Sequence, residues 1–267
     1  MRDEGSIESD PSLEPLEENP SRWVMISAVL VGLVLAIAVL ASPLASFLFH
    51  PLLVIIHELG HTIFFWLYGY PAIPAFDFVD GGGLAMAFER QQEILYGLWV
   101  VSAVVWLLWW RNRVVRYVLP FLLGFHIISS QVILHEVIIA FMGHGTELIF
   151  AGIFFYRAFT GVAVHHWLER ATYAFGAFYI SLWNIHWIYN LYTSQSDQAE
   201  YAAYVQSGVH MDFAVIAYEL LHVSISSVIL TFLILSFLPL PLAAGLAWFR
   251  DGLEAFWIKI TLRDGGA

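Results

Sequence analysis

Apolar residues in this chain come in long continuous stretches rather than in a one-face or alternating pattern, and polar clusters set the limits of each stretch. Bounded in that way, the stretches give candidate helices at about 23–42, 50–69, 93–110, 115–134, 146–168, 171–192 and 214–248, each near the ~20 residues that cross a bilayer. The expected fold is therefore an all-α polytopic membrane protein with about seven transmembrane helices. The segment from Val114 to Phe155 divides least readily, because its apolar content runs on past His135, Glu136 and His144; Gly143-His144-Gly145 is the expected break.

One region breaks the helical pattern. Between Pro71 and Arg90, Phe76-Asp77-Phe78-Val79 and Leu84-Ala85-Met86-Ala87-Phe88 are short strand-like runs separated by Asp80-Gly81-Gly82-Gly83, which predicts a β-hairpin. A hairpin with free edges can receive an extended peptide by strand addition, although an ordinary connecting hairpin has the same pattern.

Composition agrees with a lipid solvent: 60% of residues are hydrophobic, 12% are charged, and the mean hydropathy is +0.73. The chain has no cysteine, so any metal site must be built from histidine and carboxylate. The formal net charge of -11 is partly concentrated in residues 1–22, where Asp3, Glu4, Glu8, Asp10, Glu14, Glu17 and Glu18 accompany Pro11, Pro15 and Pro20. That composition predicts a disordered acidic tail, without the basic start of a signal peptide. The absence of a basic patch argues against nucleic-acid partners.

Arg111, Arg113 and Arg116 form the densest basic loop, and Arg170, Arg250, Lys259 and Arg263 fall at alternate later loops, while Arg22 and Arg90 dissent. The positive-inside rule then puts the N-terminus outside, the polar stretch from Thr193 to Asp212 outside, and the C-terminal segment 249–267 in the cytoplasm. There Phe256, Trp257 and Ile258, following Trp248, suit an interfacial helix.

Candidate chemistry sits in the second apolar stretch, which contains His57-Glu58-Leu59-Gly60-His61. Residues four apart share a helix face, so His57 and His61 can hold one Zn²⁺ with Glu58 beside them as general base. Ionisable groups in hydrocarbon cost about 2.5–3.5 kcal/mol each on insertion scales, which makes three in five residues a mark of function. The chemistry implied is metal-assisted hydrolysis.

An intramembrane HELGH helix, a Gly-rich strand-like hairpin after it and several further spans together resemble the site-2 protease family of intramembrane zinc metalloproteases, peptidase family M50. The likeness is carried mainly by residues 50–90. It implies a polytopic metalloprotease-like domain over residues 23–248, a Zn²⁺ cofactor, His57 and His61 as ligands, Glu58 as catalytic base, and a membrane protein or peptide as substrate. In that family the third ligand is an Asp within Asn-x-x-Pro-x-Pro-x-Leu-Asp-Gly. The nearest string here, Ser236-Phe237-Leu238-Pro239-Leu240-Pro241-Leu242-Ala243-Ala244-Gly245, keeps both prolines and the glycine but places Ser236 for Asn and Ala244 for Asp.

A catalytic zinc site generally takes three protein ligands and leaves one position open. The expected third ligand is His144 or Glu147, which lie three apart on one helical face, so that one can ligate and the other orient it. Glu136, with His135 adjoining, and the loop residues Asp77 and Asp80 come next, while Asp212 reads as a helix N-cap. His165 and His166 read as interfacial and structural, and His186 and Asn190, four apart, as able to hydrogen-bond or line a cavity. Two other classes of function compete with the protease: a non-proteolytic membrane protein that keeps the fold to bind partners, favoured by Ala244, and a histidine-box di-iron oxidoreductase acting on lipid, suggested by His57, His61, His165 and His166.

Overall fold

A computed structural model describes residues 22–76, 82–206, 211–250 and 252. In chain order the elements are α1 (Arg22–Ala41), α2 (Pro43–Leu67), β1 (Ala72–Phe76), β2 (Gly83–Ala87), α3 (Gln92–Leu108), α4 (Arg113–Ser130), α5 (Leu134–Thr160), α6 (Trp167–Thr193), α7 (Gln195–Gln206), α8 (Asp212–Ala214), a π-helical turn (Val215–Leu220), α9 (Ile225–Ser236) and α10 (Pro239–Trp248). The acidic tail up to residue 21, Asp77, Asp80 and the expected interfacial residues Phe256, Trp257 and Ile258 lie outside the described residues.

The protein is mostly helical, as expected, but a count of seven spans is not supported. Among the described residues four helical runs are long and apolar enough to cross a bilayer: α1, α2, α5, and the run from Ile225 to Trp248 that comprises α9 and α10. The other candidates fail for separate reasons. α3 is apolar but has only 17 residues. α4 opens on Arg113 and Arg116. α6 has the length, at 27 residues, but carries Glu169, Arg170, Asn184, His186 and Asn190. The expected break at Gly143-His144-Gly145 is also absent, since α5 starts at Leu134, beyond a turn at residues 131–133, and runs unbroken through all three residues.

Small residues set how closely the helices approach. α1 buries Ala28, Gly32 and Ala36, spaced by one turn, and packs along α6; a Cβ added at Gly32 would come 2.5 Å from Cβ of Ala174. α2 packs on α5 in the same way, because a Cβ at Gly60 would meet the Met142 carbonyl oxygen and come 2.6 Å from Thr146 Oγ1. α5 and α6 thus form the centre, with Leu53, Ala151, Tyr179 and Ile180 in one buried cluster. A second cluster joins Ile188 and Leu191 to Phe213, Ile216, Val228 and Phe232, which anchors the α8 segment against α6 and α9.

The HELGH helix has defined ends. Ser42 caps α2, its hydroxyl accepting from the Ala45 N–H at 3.4 Å, and Pro43 follows where a missing N–H costs nothing. At the other end Gly69, at φ 85°, turns the chain into β1 in a conformation that glycine adopts without strain. β1 and β2 pair antiparallel, Ala72 opposite Ala87 through Phe76 opposite Gly83, so the expected hairpin is present, with its first strand earlier in the chain than the sequence pattern placed it. Both strands pack on α2.

Candidate metal centre

Three elements, α2, α5 and α8, bring histidine and carboxylate side chains to one place. His57 and His61, one turn apart on α2, have their rings edge to face with centroids 4.7 Å apart. Asp212, the first residue of α8, reaches both: its Oδ2 is 3.1 Å from His57 Nε2 and 3.2 Å from His61 Nε2. The two Nε2 atoms are themselves 3.1 Å apart. All three groups are largely shielded, with side-chain exposures of 18%, 10% and 19% for His57, His61 and Asp212.

The far side of each ring explains why these atoms converge. His61 Nδ1 lies 2.8 Å from the carbonyl oxygen of Ile139, an acceptor only, so Nδ1 carries the proton and Nε2 presents a lone pair. His57 Nδ1 lies 2.9 Å from Glu147 Oε1, with the same consequence for its tautomer. Glu147 is fixed in turn by Asn184 of α6, whose Nδ2 donates to Oε2 at 2.6 Å and to the Ile180 carbonyl at 3.0 Å. Two imidazole nitrogens and a carboxylate oxygen therefore face one another at 3.1–3.2 Å, an arrangement that could hold a cation between them. Ligand atoms at about 2.0–2.1 Å from a tetrahedral metal are about 3.3 Å apart, close to the spacing of this triangle.

His144 adjoins the same place, since one ligand atom each from His57, His144 and Asp212 lie within 4.8 Å of one another, a group that can hold a metal ion. Gly143 makes the approach possible: a Cβ there would collide with His61 Nε2 and come 2.6 Å from His57 Nε2. The residue expected to break the helix instead provides the flat floor on which both α2 histidines rest.

Glu58 is buried on α2 next to His57, and the backbone of Ala85 in β2 hydrogen-bonds to its carboxylate. Ala85 stands opposite Pro74, which has no N–H, while Phe88 donates to the Pro71 carbonyl at 2.8 Å. In an antiparallel ladder the even positions of β2 then face β1, and Gly83, Ala85 and Ala87 present their backbone groups on the opposite edge, toward Glu58. Gly83 lies so close that a Cβ would be 2.5 Å from Glu58 Cγ.

Among the remaining candidates, Glu136 is half-exposed and His135 bonds to Tyr70 and to the Val132 carbonyl, some eight residues, or about 12 Å along α5, from His144. Ala244 is exposed on α10 and takes no part. His165 and His166 follow the end of α5, about 24 Å along its axis from His144. His186 is exposed and pairs with Asn190 at 3.2 Å. Sequence reasoning did not find Asn184, and it gave Asp212 a capping role; Asp212 stands 151 positions from His61, and no local spacing connects them. The only signal was a carboxylate next to an apolar run.

No protein-family model, curated protein or solved structure matches this chain.

Proposed function

We propose that this protein is a membrane-embedded zinc endopeptidase, with His57, His61 and Asp212 as the three metal ligands and Glu58 as the general base. The observation that carries the reading is the triangle of His57 Nε2, His61 Nε2 and Asp212 Oδ2, with both histidine Nδ1–H groups engaged elsewhere. The donor set, two imidazoles and a carboxylate, suits zinc, and three protein ligands leave room for water and substrate. Glu147 then orients His57 from behind, and Asn184 orients Glu147, the kind of support that metal-binding histidines generally require.

A bound Zn²⁺ would polarise the scissile carbonyl and lower the pKa of water. The chain's own residues do the rest. Glu58 accepts a proton from the attacking water as its oxygen bonds to the carbonyl carbon, and delivers that proton to the leaving nitrogen as the C–N bond breaks, giving a carboxylate and an amine. A peptide rather than a lipid is favoured by the outward edge of β2, whose Gly83 and Ala87 backbone groups can pair with an extended chain beside Glu58. A helical substrate must unwind to use that edge, since its own carbonyls are otherwise bonded internally.

Asp212 supplies the carboxylate that Ala244 cannot, which takes away the ground for preferring a non-proteolytic scaffold. The positions of His165 and His166 give no support to a di-iron cluster. The test uses the purified full chain in lipid: bound metal is measured together with cleavage of a membrane-spanning peptide, for the native protein and Glu58→Gln. Zinc in both and cleavage only in the native protein is the expected result. Full cleavage by Glu58→Gln would overturn the mechanism, and iron in place of zinc would favour the oxidoreductase.

A further inference from the structure

His144 is left without a task by the three-ligand site, yet its ring is packed directly against His57. Its ring lies edge to face on His57, centroids 4.4 Å apart at 74°, and on its other sides meets Trp187 at 5.3 Å and 28°, Phe213 at 5.0 Å and 33°, and Phe232 at 5.7 Å. Four rings from α2, α6, α8 and α9 therefore fix both the position and the tilt of the imidazole. The ring is also polar without being committed. Its Nδ1 is 3.4 Å from Glu147 Oε1 without the alignment of a hydrogen bond, and it is buried with no hydrogen-bond partner. Glu147 Oε1 is already engaged by His57 at 2.9 Å.

We infer that His144 is a catalytic residue that donates an N–H to the scissile carbonyl oxygen as negative charge gathers there. The inference rests on the endopeptidase reading above. Three considerations lead to it. His57, His61 and Asp212 already provide the number of protein ligands a catalytic zinc takes, and a fourth would occupy the position the reaction needs open. Charge develops on the substrate oxygen at the metal, and the His144 ring has a nitrogen within 4.8 Å of the ligand atoms of both His57 and Asp212. A donor acts best on such charge when it is held in place beforehand, which the surrounding aromatic rings accomplish. Every protonation state of imidazole retains at least one N–H, so the role does not depend on a change of charge.

The experiment compares the native full chain with His144→Phe, which keeps a ring between Trp187 and Phe213 but has no N–H, and with His144→Gln, which keeps a donor. Three quantities are read: zinc per chain, kcat and KM on a membrane-spanning peptide, and the affinity of a phosphinic peptide that mimics the tetrahedral state. His144→Phe is expected to hold one zinc, to lose about 10²–10³ in kcat with KM little changed, and to bind the phosphinic peptide more weakly by a similar factor. His144→Gln is expected to recover part of both losses. Loss of zinc in His144→Phe would make His144 a ligand and overturn the inference, and so would native kcat with zinc retained. If the native protein holds zinc but cleaves nothing, the endopeptidase reading itself fails; if it cleaves and His144→Phe cleaves equally well, only the role of His144 does.

Discussion

Two clusters of histidine and polar side chains are buried against α2, one along its middle and one at its C-terminal end, and their residue types overlap. At the end, Tyr68 stacks on His126 with centroids 4.7 Å apart, and its hydroxyl pairs with Ser129 Oγ at 3.0 Å. His126 accepts from Trp99 Nε1 at 3.1 Å and its Nε2 donates to the Leu67 carbonyl at 3.0 Å. His135 bonds at one nitrogen to Tyr70 and at the other to the Val132 carbonyl, and Arg90 donates to the carbonyls of Tyr68 and Ser130. Burial pushes the Tyr70 phenol up from its ordinary pKa against the opposing pull of Arg90, so it remains a donor to His135. Both nitrogens of both histidines are engaged with protein atoms. In the middle of α2 each histidine gives Nδ1 to a separate acceptor, while the two Nε2 atoms converge, 3.1 Å from each other and 3.1–3.2 Å from one Asp212 oxygen. The difference between a joint and a site lies in this convergence on one point, not in which residues are present.

The comparison is broken most severely by removing a ligand. His61→Ala and Asp212→Ala are each expected to abolish stoichiometric zinc, read by metal analysis of the purified protein, and to bring cleavage to background. Gly143→Ala should do nearly the same without replacing a ligand, because its methyl group would collide with the rings of His57 and His61. His126→Ala, by contrast, should leave zinc at one per chain. A loss of zinc in His126→Ala equal to that in His61→Ala would remove the distinction drawn between the two clusters.

Next in size is Glu58→Gln, with an expected loss of about 10²–10⁴ in kcat and no loss of zinc. Glu147→Ala and Asn184→Leu act one step further from the metal. Each is expected to weaken zinc affinity by about 10–100-fold, measured by competition with a chelator.

This gradation follows how much of the site was legible in the sequence. His57, Glu58 and His61 could be read because one turn of helix brings them together; Gly83, read as part of the turn, instead opens β2. Asp212 could not, because its approach depends on packing: Phe213 and Ile216 are buried with Ile188 and Phe232, and only that cluster carries the carboxylate to α2. Asp212 looked like a cap because it opens a helix, and it does open α8, which runs directly into a π-helical turn of the kind often found at functional sites. The excess in the span count has a similar origin. Apolar content alone does not separate α3, which is too short, or α6, whose Asn184 and Arg170 face inward, from a helix that lipid must solvate on its outer face.

The smallest expected effects belong to the joint at the end of α2, and there the sign pattern matters more than the size. Tyr68→Phe removes a hydroxyl paired with Ser129 but keeps the ring stacked on His126, and Tyr70→Phe removes the partner of His135 Nε2. Hydrogen bonds between membrane helices contribute about 0.6 kcal/mol on average and rarely exceed about 1.7, so each substitution should lower stability by about 1 kcal/mol in a denaturation titration in lipid. Because Leu67 and Tyr68 close the helix that carries His61 two turns earlier, a looser joint would first show as a less rigid ligand, with faster zinc exchange at unchanged stoichiometry. Unchanged exchange alongside the loss of stability would mean that packing at Gly60 on Met142 and Thr146 holds the register of α2 without help from its end.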